Sequence, residues 1–160
     1  MTDFDAIAQG MTQAVPFAGH LGLEITSIGE GEATVRLPER DELGNHVGSQ
    51  HAGALFTVTE TASGAAFVGA FAERLGELTP LARSAEISYE KIANGPIDAT
   101  AALGVDKDDA LATLDAEGKV VFPCEIALTD LDGQLVAIAT VHWHVRLNQP
   151  AAAAGEAAVE

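Results

Sequence analysis

Glu60 is a carboxylate without an obvious partner. It stands in the stretch Gly44 to Phe67, "GNHVGSQHAGALFTVTETASGAAF", where no lysine or arginine occurs between Arg40 and Arg74. No cation therefore lies one helical turn away on either side. An ionised carboxylate in apolar surroundings is costly, and burial raises its pKa. Two readings follow. The side chain escapes to solvent at a sheet edge or meets a distant arginine, or it is a catalytic carboxylate in a pocket.

Upstream residues bear on that choice. Ala52 and Gly53 fall in the first turn of the expected helix, where free backbone N–H groups and the positive dipole end favour an anion. An oxyanion formed there is stabilised by amide donors, as acyl transfer requires. The absence of bulk at both positions lets a substrate carbonyl approach. Asn45 carries an amide that both donates and accepts. A polar orienter, a helix start and a carboxylate suffice to hydrolyse an activated acyl group.

The elements that must hold these groups are legible from periodicity. Residues 3–15 predict a short amphipathic helix, with Phe4, Ile7, Met11 and Val15 at helical spacing. "LEITSIGEGEATVRL" predicts a hairpin turning at Gly29-Glu30-Gly31. A loop over 38–50 leads into a helix from Ala52 to Ala72, rich in Ala and Gly and apolar all round, which marks a buried helix. Its glycines, each costing roughly 1 kcal/mol against alanine, fit a helix lying very close to another backbone. Strands follow at 84–90, 97–105, 120–129 and 135–147, with "DKDDALATLDAEG" a short acidic helix or a loop. "DLDGQ" signals a hairpin. In the last strand Leu135, Ala137, Ala139, Val141, Trp143 and Val145 share one face. Two strands, one long helix and four mostly antiparallel strands make an α+β fold, a sheet burying one face on a helix. One domain over 1–147 is expected, with a frayed tail over 148–160.

Composition narrows the function. Acids outnumber bases 24 to 8, for a formal net charge of −16, and the bases are scattered. Nucleic acid and anionic membranes are poor partners for such a surface. No basic segment precedes an apolar one as in a secretory signal, and no apolar run is long enough to span a bilayer. A cytoplasmic protein is expected. The single cysteine, Cys124, cannot close an internal disulfide and is read as packing. His142 and His144 project to one side of a strand, but two histidines without a third ligand make a weak metal site, and no metal is expected.

Asn45, His51-Ala52-Gly53 and Glu60 resemble the motif of hotdog-fold acyl-CoA thioesterases of the phenylacetyl-CoA type: Asn, five residues, His-Gly-Gly, six residues, a catalytic Asp. The likeness extends to the order of elements and to "SAEISYEKIANGP" and "VHWHVRL", over roughly residues 15–147. The chain also resembles a less characterised branch of hotdog proteins assigned only as thioesterase-like. Alanine replaces the first glycine, a small change if that residue contributes only its N–H. Glutamate replaces aspartate, as in some hotdog thioesterases acting on aromatic acyl-CoA, and moves the carboxylate outward.

The resemblance implies a hotdog fold, a long central helix wrapped by a curved, mostly antiparallel sheet of about six strands. It also implies an acyl-CoA thioesterase with no cofactor, coenzyme A being part of the substrate. Glu60, Asn45, Ala52 and Gly53 become the catalytic set. His51 starts the helix beside the substrate, and Arg83 and Lys91 match positions that meet CoA phosphates. Ala52 and Glu60 are eight residues apart, about 12 Å along a helix at 1.5 Å per residue, whereas reacting groups meet within roughly 3–3.5 Å. A homodimer with sites shared between chains is therefore expected, with a dimer of dimers as an extension. Two alternatives stand beside this one. One is a non-catalytic acyl-CoA or lipid-binding module of the same fold. The other is an acyl-thioester dehydratase or hydratase, whose His-plus-acid motifs are not found here.

Overall fold

The computed structural model describes residues 3–148. Helix α1 covers Phe4–Ala14, capped by Asp3, whose side chain accepts from the Ala6 N–H. A second helix, α2 (Pro16–Leu21), follows directly. It was not read from the sequence, although Pro16 at its start and Gly22 in the left-handed region at its end are both helix-boundary residues. Strands β1 (Glu24–Ile28) and β2 (Glu32–Leu37) form the expected hairpin. Helix α3 runs from Ala52 to Ala70, ending two residues early, and a 3-10 segment carries the chain to Glu77. Strand β3 covers Leu78–Tyr89, starting six residues before the alternation of Ser84–Glu90 announced it. Then come β4 (Ile97–Leu103), α4 (Lys107–Glu117), β5 (Lys119–Asp130) and β6 (Leu135–Leu147).

The acidic segment is thus a helix. Asp106 caps it by accepting from the Asp108 and Asp109 amides, and acidic residues in a first turn suit the positive end of the dipole. The six strands form one sheet in the order β1-β2-β4-β5-β6-β3, with every pairing antiparallel. The connection from β2 to β3 must cross the width of the sheet, and α3 makes that crossing. The helix packs against β1, β2, β4, β5 and β6.

The core lies between α3 and the inner sheet face. Its centre is aromatic: Phe67 stacks on Phe71 at 4.9 Å between centroids and on Trp143 at 6.0 Å, with Phe122 beside both phenylalanines. In β6 the odd-numbered residues from Ala137 to Val145 are buried as expected, but Leu135 is exposed and Val136 is buried instead. A register shift in the β5–β6 pairing at Leu128/Thr129 accounts for this, because one extra residue flips every side chain beyond it.

Asn148 is fixed to the 3-10 segment: its N–H donates to the Glu77 carbonyl and its side-chain amide to that of Gly76. The rest of the expected tail, 149–160, lies outside the described residues. No described helix is long and apolar enough to cross a membrane.

Candidate active site

The start of α3 is built by the loop before it. Asn45 Oδ1 accepts from the amides of Val47 and Ser49, both at 3.1 Å, while Nδ2 donates to Ser49 Oγ at 3.0 Å and to the Gln50 carbonyl at 3.2 Å. Both amide hydrogens of Asn45 are therefore spent inside its own loop. Buried Gln50 braces the same loop from below, with Nε2 donating to the carbonyls of Pro38 and Gly95. Its amide orientation is fixed, since a flip would set oxygen against two carbonyl oxygens. The His51 N–H donates to the Leu43 carbonyl at 2.8 Å, which sets where the helix begins.

His51 is the N-cap of α3, and its Nδ1 accepts from the Gly53 N–H at 2.9 Å. Of the two amides expected to hold an oxyanion, that of Gly53 is thus occupied by a side chain. The Ala52 N–H has no partner among the described residues, and Ala52 is exposed. An accepting Nδ1 places the proton of the neutral ring on Nε2, as a further donor at the helix start.

Glu60 lies two turns along α3, and the helix explains its surroundings. Most of α3 is buried, but Phe56, Glu60, Gly64 and Val68, at four-residue spacing, form a stripe left partly open. Glu60 is half-buried, and its carboxylate has neither an ion pair nor a hydrogen bond among the described residues. Burial raises its pKa above the ordinary carboxylate value. The turn that carries it is fixed, because Ser63 Oγ donates to the Glu60 carbonyl at 2.8 Å and accepts from Trp143 Nε1 at 3.1 Å.

A cavity of about 410 Å³ opens at the helix start, lined by Asn45, Ala52, Tyr89 and Lys91 among others. The structure therefore brings Asn45, Ala52 and Lys91 together, but Glu60 and Arg83 do not line this cavity. Lys91 is exposed, with Nζ 3.4 Å from Gln134 Oε1. Arg83 sits midway along β3 at a bulge between Ala82 and Ser84, exposed.

Two site residues escaped the sequence reading. Tyr89, at the end of β3, donates its hydroxyl to the Ala52 carbonyl at 3.2 Å and so ties the edge strand to the helix start. Within the strand expected at 84–90 nothing in the spacing sets Tyr89 apart. The signal was its identity, the single tyrosine of an aromatic-poor chain at the last inward position of a strand. Gln50 gave no signal beyond being polar at a loop's end. His142 and His144 lie away from this cavity, and no group of three His, Cys, Asp or Glu side chains able to hold a metal occurs among the described residues. Cys124 is buried, which pushes its thiol up to about 12, and Sγ donates to the Ala102 carbonyl.

This architecture is the hotdog fold. The Pseudomonas aeruginosa protein PA5026, a protein of unknown function described as a probable thioesterase, is 25% identical over 92% of this chain and 97% of its own, with a TM-score of 0.81. The Escherichia coli PaaI protein of the phenylacetic acid degradation operon is 23% identical over 88% of this chain and 91% of its own, at a TM-score of 0.70. A variant of the P. aeruginosa thioesterase PA1618 shares the fold at 14% identity and a TM-score of 0.74, covering 92% of this chain and 96% of that one. None of the curated proteins matches the chain. Residues 5–145 match the family described as "Domain of unknown function (DUF4442)", and the chain belongs to it.

Proposed function

We propose that this thioesterase-like hotdog protein hydrolyses acyl-CoA thioesters. One observation carries the reading: α3 presents a half-buried carboxylate, Glu60, and a first-turn amide, Ala52 N–H, neither with a partner among the described residues, with exposed Phe56 one turn from each. The amide receives the thioester oxygen as negative charge develops on it. Glu60, whose raised pKa lies nearer neutrality than an ordinary glutamate's, takes a proton from water as the water oxygen bonds to the carbonyl carbon. The C–S bond then breaks, and the proton leaves with the CoA thiolate.

Ala52 and Glu60 of one chain are about 12 Å apart along the helix axis, so the reading requires two copies. Strand β3 is a sheet edge that is exposed over most of its length, a surface suited to pairing with its own copy about a two-fold axis. Each helix start then faces the other chain's Glu60. Asn45 acts as a positioning residue that holds the loop, and Lys91 at the cavity rim and Arg83 on the edge strand serve the CoA phosphates. The binding-module alternative differs in one outcome, acyl-CoA bound without turnover.

The test is a thiol-release assay over short, medium, aromatic and long acyl-CoAs. Glu60→Gln and Ala52→Pro, which deletes the amide hydrogen, are each expected to be inactive as folded dimers. Heterodimers of the two should recover one working site out of two. Verified heterodimers without activity overturn the shared site, and binding without thiol release by the wild type overturns the hydrolase.

A further inference from the structure

Strand β3 pairs with β6 from Leu78 to Tyr89, and residues directly opposite on an antiparallel pair point to the same face. Ala82, Ala85, Ile87 and Tyr89 therefore share the inner face with Trp143, Val141, Ala139 and Ala137. Those four β6 residues are buried, whereas Ala82, Ala85 and Tyr89 are exposed and Ile87 is half-buried. Helix α3 thus covers β6 and leaves the inner face of β3 open. On the helix, the stripe left partly open is Phe56, Glu60, Gly64 and Val68. An uncovered strand face and an uncovered helix stripe border one groove, and Glu60 is the only charged residue among them.

Two contacts fix how these walls face each other. The Tyr89 hydroxyl reaches the Ala52 carbonyl at 3.2 Å, and a Cβ on Gly64 would stand 3.6 Å from Cζ2 of Trp143, the register partner of Ala82. The helix therefore runs alongside β3 in the opposite direction. Phe56 and Glu60 fall between these anchors on the helix, as Ile87 and Ala85 do on the strand. At the level of Gly64 the walls carry their smallest side chains: glycine on the helix, alanine on the strand and the indole edge beneath. The indole is held there, because Nε1 donates to Ser63 Oγ at 3.1 Å and Phe67 stacks on it at 6.0 Å between centroids. Trp143 is 7% exposed, so it offers the groove an edge and no free face for another ring to stack on.

We infer that Gly64 sets the acyl specificity of the proposed site: the slot over Trp143 takes an unbranched aliphatic chain that passes one helical turn beyond Glu60 toward Val68. The inference rests on the hydrolase reading, which places the thioester carbon at Glu60. The sulfur side of that carbon leads to the helix start that supplies the amide, with Lys91 at its rim, and the groove is left for the acyl side. An acetyl group ends short of Gly64, which lies about 5.4 Å along the helix axis from Glu60, and an octanoyl group passes it. Each methylene buried against these walls strengthens binding by up to roughly fourfold.

The test measures kcat/KM by thiol release and Kd by calorimetry for acetyl-, butyryl-, octanoyl- and phenylacetyl-CoA. With the wild type, octanoyl-CoA should exceed acetyl-CoA by at least about tenfold in both readouts, and should also exceed phenylacetyl-CoA. Gly64→Leu and, from the facing strand, Ala82→Leu each fill the slot. Each should lower the octanoyl-to-acetyl ratio at least about tenfold. A general loss of structure moves both substrates together and leaves that ratio alone, and Ala82→Leu decides the matter if circular dichroism shows Gly64→Leu unfolded. Equal values across chain lengths, a preference for phenylacetyl-CoA, or folded variants with the wild-type ratio overturns the inference. The hydrolase reading fails separately. Length-dependent binding that the variants abolish, with no thiol released by the wild type, keeps the slot and removes the chemistry, while neither binding nor release removes both.

Discussion

The His51 imidazole accepts the Gly53 amide hydrogen, Nδ1 to N at 2.9 Å, and this one bond divides the roles of the first helical turn. It satisfies one orphan donor and leaves the neighbouring Ala52 N–H without a partner among the described residues, the amide that the proposed hydrolase would turn to its substrate.

His51→Ala removes the cap. Loss of an N-cap side chain costs about 1 kcal/mol, which in a protein of this size lowers Tm by roughly 2–4 °C. His51→Ser restores a capping oxygen and should recover both the Tm and the turnover that His51→Ala loses. Thermal denaturation and thiol release on the same three proteins check it. Recovery of stability without turnover would mean that the imidazole does more than cap the helix.

How much of this was legible follows from which forces are local. The motif from Asn45 to Glu60 lies in one loop and one helix, so spacing alone was enough to set Ala52 and Gly53 in the first helical turn and Glu60 two turns on. Hydrogen-bond economy was not legible. Nothing in the spacing shows that Asn45 exhausts its amide on Val47, Ser49 and Gln50, or that His51 occupies the Gly53 donor. The six extra residues of β3 were hidden because Thr79 to Arg83 lie on an edge strand, where little is buried to impose alternation. The exposure of Leu135 came from a bulge, a two-strand property invisible in one strand's pattern.

Glu60 opposes folding at neutral pH. Burial raises its pKa in the folded state, so the folded chain binds the Glu60 proton more tightly than the unfolded chain does. The resulting penalty is complete above the folded pKa and fades as pH falls to the ordinary carboxylate value near 4. Glu60→Gln should therefore unfold at higher urea than the wild type at pH 7 to 8, with the gap closing at pH values below about 4. The same variant should lose at least about 100-fold in turnover, the lower end of what a positioned acid or base contributes. Equal urea midpoints at neutral pH would show that the carboxylate is fully solvated.

The small residues of α3 were read as a sign of close packing, and two glycines on that helix now separate cause from coincidence. A Cβ on Gly69 would run into the Gly29 carbonyl oxygen of the β1–β2 turn and stand 3.2 Å from Ile28 Cγ1. A Cβ on Gly64 would meet only the Trp143 ring, at 3.6 and 3.8 Å, which is ordinary contact. Both substitutions gain the same intrinsic helix propensity, up to about 1 kcal/mol over glycine. At Gly69 that gain is set against an obstructing backbone, where overpacking costs typically 1–3 kcal/mol and a backbone oxygen cannot rotate aside. Gly69→Ala should thus be net destabilising, by about 1–2 kcal/mol, while Gly64→Ala should be neutral or slightly stabilising. Urea unfolding of the two single variants decides it, with equal m-values required for the comparison. If Gly69→Ala proved as stable as Gly64→Ala, the β1–β2 turn would be able to retreat from the helix, and close packing would no longer explain why α3 carries glycine there.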